Sequence, residues 1–576
     1  MLNVKKKLIG QVLVEKGLVT NEQIQQALEY QKTKYPNKRI GEILVEIGFI
    51  TEEDLARALA ESLNIPYIDI LNTNIDEDLF LKIPPKIIYQ YKFIPIKKDE
   101  YSIIQIGMVD PLDSESINVA REYLNTINIE IAVISKTGFE KIFQELENKI
   151  TVKEVLQEIK TELPAEAEEL ISVINLDETE SQPGIIKLVE TIFKQAITYR
   201  STDIHIEPTL KNVRVRYRID GVLYKGLEFP LEKLPEVVSR IKIIASLDIT
   251  EHRLPQDGHL TVKTRNSEYD LRISTLPSKY GEKVVIRILD KKQTILDISK
   301  LGFNQENVKK IYQIIGKPYG FVVVSGPTGA GKTTTLFSIL KELNLESKNI
   351  VTIEDPIEYE LENITQVQVN EKIGLTFDNA LKYILRQDPD IILVGEIRDE
   401  ETLRIAVQAS LTGHLVLTTI HANDAISSIT RMKEMNVNQE YLFSSLIGVI
   451  NQRLVRTLCN NCKKKKKIDK ETLINTITHL NTEEKDIIQE DIMIDEIFEP
   501  SGCPLCNWTG YFGRTSIAEV LIFDSYLKEM ITEKKFSENK IKKLLFKERN
   551  QKFLIHDALE KLQKGITSLE EITRVI

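Results

Sequence analysis

The residues with the clearest chemistry are Gly326-Pro327-Thr328-Gly329-Ala330-Gly331-Lys332-Thr333-Thr334, set between the apolar run Phe321–Val324 and a helical pattern. A strand that bends through G-x-x-x-x-G-K-T into a helix aims consecutive backbone N–H groups at one anion and adds the positive helix N-terminus. Lys332 is then placed to reach the β- and γ-phosphates, and the Thr333 hydroxyl to ligate Mg²⁺. The pattern implies a bound nucleoside triphosphate such as ATP.

Hydrolysis of that anhydride needs one carboxylate to orient a water and another acidic group on the metal side. Three polar clusters, each ending an apolar run, supply them: Glu354-Asp355-Pro356-Ile357-Glu358, Gly395-Glu396-Ile397-Arg398-Asp399, and Thr418-Thr419-Ile420-His421-Ala422-Asn423. Ligands of open α/β sheets gather at the carboxyl ends of the strands, which gives these positions weight. Asp and Glu at such ends also cap helices, and a histidine there is commonly structural, a reading that stays open for His414.

Cys459-x-x-Cys462 and Cys503-x-x-Cys506 use all four cysteines of the chain. Four thiolates in paired spacing suit a closed tetrahedral Zn²⁺ site, structural rather than catalytic. The lysines from 463 to 467 suit an acidic lipid, an acidic partner face or plain solvent. Arg214, Arg216 and Arg218 alternate along a strand pattern and so share one face, either salt-bridged to solvent or set to neutralise phosphate charge.

The elements that must hold these groups are several. A chain of 576 residues exceeds one core, and a net charge of -10 disfavours nucleic acid and anionic membrane as direct partners. No apolar run reaches the length of a membrane span, so the expectation is a cytoplasmic protein that meets membranes only through partners. Ile9-Gly10 to Thr20 is echoed by Ile40-Gly41 to Thr51, 31 residues on, which makes a small duplicated helical module. From Ile65 short β-rich and helical runs alternate, so 1–150 reads as an α/β unit headed by that repeat. Residues 151–182 carry nine acidic and two basic residues and read as a linker or as a solvated helix and loop. A second α/β domain follows at 183–300. From 301 to 576 the runs Phe321–Val324, Ile350–Ile353, Ile391–Val394 and Leu415–Thr419 alternate with helical stretches, the signature of a parallel sheet. The cysteine insert spans 457–515.

Taken together, the phosphate loop, Thr352 to Glu358, Leu385 to Asp399 and Gly413 to Asn423 resemble the secretion ATPases, the hexameric motors of type II secretion and type IV pili. That resemblance implies a RecA-like core, Glu358 as general base with Glu354 as its rival, Glu396 as the metal-side carboxylate, and His421 as nucleotide sensor. Ser201 to Pro208 and Arg214 to Gly221 resemble the PAS-like domain that precedes the core. By that likeness Arg218, and with it Arg272 and Arg287, are arginine-finger candidates, acting across a ring. Thr202 and His259 depart from the family pattern, which has alanine or serine and arginine there. The cysteine pairs match the inserted tetracysteine subdomain of the assembly branch. The repeat resembles the MshE-type N-terminal domain that binds cyclic-di-GMP: Arg39, Gly41 and Leu44 keep its pattern, whereas the first copy, at Gly10, has Leu8 in place of the arginine. A docking module for the inner-membrane platform protein or a pilus assembly adaptor is the other reading of the same segment. The resemblance fits a homohexameric pilus-extension motor. Its alternatives are a type II secretion motor, which shares every motif, and a nucleotide-gated scaffold without turnover.

Overall fold

The computed structural model describes residues 9–34, 38–99, 102–159, 173–175, 184–264, 267–290, 296–478, 494–532 and 537–576. Gly320–Ser325 is apolar apart from its ends and largely β-branched, and it forms a wholly buried strand inside a seven-stranded sheet. In spatial order the strands are Thr365–Gln368, Ile350–Glu354, Ile391–Val394, Leu415–Ile420, Gly320–Ser325, Leu446–Leu458 and Tyr511–Ile522. The first six run parallel and the last antiparallel. Parallel strands need crossovers, and helices cover both faces. Side chains of Gln305–Ile315 and Lys332–Leu343 pack with Val322 and Val324, and those of Phe377–Ile384, Glu400–Leu411 and Ala425–Glu434 with Phe321 and Val323. The four strands expected from the sequence are present, and their carboxyl ends share one edge. The long strands Leu446–Leu458 and Tyr511–Ile522 complete the sheet.

A second seven-stranded sheet is ordered Val173–Asn175, Gln256–Lys263, Glu268–Ser278, Gly281–Asp290, Ser201–Pro208, Asn212–Ile219, Val222–Pro230. Helices Gly184–Thr198 and Leu234–Ile244 cover one of its faces. Along Asn212–Ile219 Val213, Val215, Tyr217 and Ile219 point into that core, so Arg214, Arg216 and Arg218 must share the opposite face.

The acidic stretch beginning at 151 differs from a plain linker. Helix Lys136–Ile159 runs through its start, and Val173–Asn175, a β-branched apolar pair in an acidic context, adds a parallel edge strand beside Gln256–Lys263. The rest of 151–182 lies outside the described residues. Toward the N-terminus a three-stranded sheet, Phe93–Lys98, Ile104–Met108 and Ile129–Val133, packs with Lys136–Ile159. Ahead of it come helices Ile9–Glu15, Asn21–Lys34, Ile40–Glu46 and Glu52–Leu63. The turns after the two short ones use Gly17 at φ 68° and Gly48 at φ 79°, where a Cβ is disfavoured. Thr51 caps its helix by accepting from Asp54 N, and Thr20 accepts from Gln23 N.

Candidate active site

The loop after Gly320–Ser325 puts Gly326, Gly329 and Gly331 at φ 148°, 78° and 84°, and helix Lys332–Leu343 starts from Gly331. A Cβ on Gly326 would stand 2.5 Å from Gln452 O and 2.9 Å from Ala330 Cβ, so only glycine fits. Pro327, Thr328 and Gly329 are exposed at the tip, Ala330 is buried, Thr333 half-buried and Thr334 exposed. Lys332 Nζ donates to Gly326 O and Pro327 O, each at 3.0 Å. Burial lowers its pKa, Glu396 opposes that, and Arg453 adds to it. The donor set, a nest of N–H groups, an ammonium and the Thr333 hydroxyl, fits a triphosphate with Mg²⁺.

Glu396, just past Ile391–Val394, is four-fifths shielded, pairs with Arg398, and lies 3.8 Å from His421 Nε2. Burial lowers the His421 pKa, Lys332 lowers it further and Glu396 counters. Lys332, Glu396 and His421 thus form one electrostatic cluster at the strand ends. A shallow pocket beside it is lined by Pro327, His421, Asn423, Arg431 and Glu538 among others.

Glu354 ends its strand and is buried; its Oε1 accepts from Thr352 Oγ1 at 2.7 Å and Gln366 Nε2 at 3.0 Å. Burial raises its pKa, with Glu358 adding to the rise and those two hydrogen bonds opposing it. Glu358 stands half-buried four residues on, in a loop whose Ile357 O accepts from Arg272 Nη2 at 3.1 Å. Arg272 therefore touches the acidic box of its own chain. Arg218 and Arg287 both lie 3.4 Å from Asp203, and Glu207 takes Arg214, Arg216 and Lys283, which brings its pKa down to about 2 against its burial. Of the two clusters' flanking polar residues, Asp399 caps helix Glu400–Leu411, and His414 Nδ1 lies 2.8 Å from the Ala409 carbonyl, a structural contact.

The sulfurs of Cys459, Cys462, Cys503 and Cys506 all lie within 4.8 Å of one another, with pairs at 3.7 and 3.8 Å. Zn–S bonds of about 2.3 Å in a tetrahedron give sulfur separations of about 3.8 Å, so the donor set fits Zn²⁺. Gly502 N and Cys503 N donate to Cys462 and Cys506 sulfurs at 3.2 Å, bonds that favour thiolates.

In the N-terminal helices Arg39 pairs with Asp110 at 2.8 Å and is largely exposed. Gly41 sits against Leu55, whose Cδ1 would be 2.4 Å from a Cβ; Gly10 leaves ordinary contact distance to Ile24. Leu44 is fully buried in the helical core.

A family model described as "Type II/IV secretion system protein" matches residues 177–574, more than half of the chain. The chain belongs to the type II/IV secretion system protein family. A second model, the MshEN domain, matches residues 63–151, beyond the glycine repeat. Among relatives of this secretion-family chain, the type II secretion system ATPase E of Vibrio cholerae is 38% identical over 86% of this chain and 96% of its own. The type IV pilus assembly ATPase PilB of Myxococcus xanthus is 36% identical over 98% of each chain. The X-ray structure of the ATPase DotB from Legionella pneumophila superposes with a TM-score of 0.50 at 20% identity, covering 70% of this chain and 99% of that one, and it supports the fold alone.

Sequence reasoning missed the polar centre of strand Leu446–Leu458 in this secretion-family fold. Asn451 Nδ2 donates to Ser325 Oγ, Gln452 Nε2 donates to Ala330 O at 2.7 Å while its Oε1 accepts from Thr335 Oγ1, and Arg453 donates to Asn423 O at 2.6 Å. This buried layer underpins both the phosphate loop and the histidine box. Its signal was available: Asn-Gln-Arg interrupts an apolar strand, and buried polar groups need partners.

Proposed function

We propose that the protein is a cytoplasmic, homohexameric ATPase that drives pilin polymerisation through a platform protein at the inner face of the membrane. The observation that carries the ATPase reading is the cluster of Lys332, Glu396 and His421 around a phosphate loop in a member of this family. The relatives' coverage supports pilus extension over type II secretion. The pilus assembly relative aligns through 98% of this chain, N-terminal unit included, against 86% for the type II protein. Among the described residues no helix is long and apolar enough to cross a membrane, which suits contact through a platform and adaptor.

In the proposed cycle Gly326 to Thr334 bind the phosphates, Thr333 and Glu396 serve the Mg²⁺ side, and Glu358 orients the attacking water. Glu354 is the weaker base candidate because its oxygen is committed to Thr352 and Gln366. His421, next to Glu396, would report whether the γ-phosphate is present. Arg218 and Arg287, on the PAS-like sheet, would reach a neighbour's phosphates by exchanging Asp203 for them, and Arg272 already rests on the acidic box. Zn²⁺, where bound, supplies rigidity to the cysteine loop. Residues 1–150 would take a cyclic-di-GMP input; the MshEN match supports this for residues 63–151, and Arg39, ahead of that match, would trade Asp110 for a guanine edge.

Steady-state phosphate release from the purified ring tests the motor: Lys332→Ala should fall by roughly 100-fold or more. Wild-type turnover in that variant would leave a scaffold as the better reading. Calorimetric titration of cyclic-di-GMP into the full chain tests the input, with saturable binding lost in Arg39→Ala.

A further inference from the structure

The loop leaving the second cysteine pair touches both units that precede the nucleotide sheet. Trp508, the single tryptophan of the chain, donates from Nε1 to Gln144 Oε1 at 3.0 Å, on helix Lys136–Ile159. Its backbone is unusual: Trp508 sits at φ 62° after Asn507 at φ 49°, and its main-chain N–H donates to Cys503 O at 3.0 Å. Bulky residues are rarely found in this left-handed region, and such conformations cluster at clamps and switches.

Four to six residues on, the first residues of strand Tyr511–Ile522 meet the arginine sheet. Phe512 lies under the Arg200 guanidinium at 3.7 Å, Gly513 N donates to Asp220 Oδ2 at 3.0 Å, and Arg514 Nε lies 3.8 Å from Asp220 Oδ1. Asp220 and Gly221 turn the strand that carries Arg214, Arg216 and Arg218, and Arg218 Nη1 donates to Gly221 O at 3.0 Å. The contacts are continuous from Gln144 through Trp508 and Gly513 to the turn that holds Arg218.

We propose that residues 508–514 are an interaction surface joining two segments of this same chain, helix Lys136–Ile159 and the Asp220 turn. Through it the position of the N-terminal unit sets the placement of Arg218. Hydrogen bonds at Gln144 and Asp220, joined by the chain from 508 to 513, form a physical route by which a shift at one end reaches the other. The relay rests on the regulatory reading of residues 1–150, but its test needs neither nucleotide nor cyclic-di-GMP and so fails separately from that reading.

Acrylamide quenching of Trp508 fluorescence in the full-length protein is the direct measurement, since no other tryptophan contributes. Gln144→Ala should raise the quenching constant about twofold, and Asp220→Ala, at the far end of the loop, should raise it comparably. Asp220→Asn, which keeps an acceptor for Gly513 N–H, should stay near wild type. Unchanged quenching in Gln144→Ala means that the N-terminal helix does not rest on the loop and overturns the proposal. Unchanged quenching in Asp220→Ala overturns the relay. If Asp220→Ala unfolds by far-UV circular dichroism, Arg200→Ala, which removes only the stack on Phe512, takes its place with the same two outcomes.

Discussion

Glu354 and Glu358 belong to one box yet have different surroundings. Glu354 is buried and hydrogen-bonded within its own strand pair, whereas Glu358 is half-buried in the loop that Arg272 touches. Glu358→Gln should therefore cost about 100-fold or more in phosphate release with little change in melting temperature. Glu354→Ala should lower the melting temperature, because it removes the one oxygen that accepts from both Thr352 and Gln366, and reduce turnover less. Equal turnover losses with equal melting temperatures would assign both to the water. Glu519 tests burial itself. Burial and then Asp424 push its pKa up to about 7, against the backbone N–H groups of Ala425 and Leu554 and the Lys542 charge. A carboxyl raised in the folded state stabilises fully below its unfolded pKa and loses that contribution as pH rises through 7. Thermal stability should fall between pH 5 and 8, by up to about 3 kcal/mol from this group, and Glu519→Gln should flatten the fall in a melting series.

At the scale of elements, strand Leu446–Leu458 acts as a keel under the phosphate loop. Gln452 bonds the loop at Ala330 O and the first helical turn at Thr335 Oγ1. Gln452→Leu keeps the volume but strands both partners, each worth about 1–3 kcal/mol when buried. Calorimetry should show a clear drop in melting temperature, and KM for ATP should rise because the loop's N–H groups lose their support. The neighbouring Arg453 ties the same strand to Asn423 at the histidine box, so one element positions both the phosphate loop and that box.

At the scale of the whole molecule, Arg218 and Arg287 spend their charges on Asp203, within their own sheet, while Arg272 reaches the acidic box in cis. If Arg218 serves a neighbour, a ring mixed from Lys332→Ala and Arg218→Ala chains, each nearly inactive alone, should regain part of the wild-type turnover, because some interfaces then pair an intact loop with an intact arginine. A mixture with no activity above the separate variants would place Arg218 in cis or outside catalysis. The same experiment reads out assembly, since recovery requires subunits in contact.

Sequence alone determined the phosphate loop, the four inner strands and the cysteine set, because each is written in contiguous residues: glycines where φ is positive, β-branched runs where strands are buried on both faces, and paired Cys-x-x-Cys spacing. It could not separate Glu354 from Glu358, since both are acidic residues in one short box and only packing decides which is enclosed. Nor could it show that Gln452, some 120 residues from Ala330, lies under the loop, that Arg39 faces Asp110, or that Trp508 reaches Gln144. Those pairings come from chain crossovers and from contacts between units, and burial of a polar group depends on what the fold brings over it rather than on its neighbours in sequence.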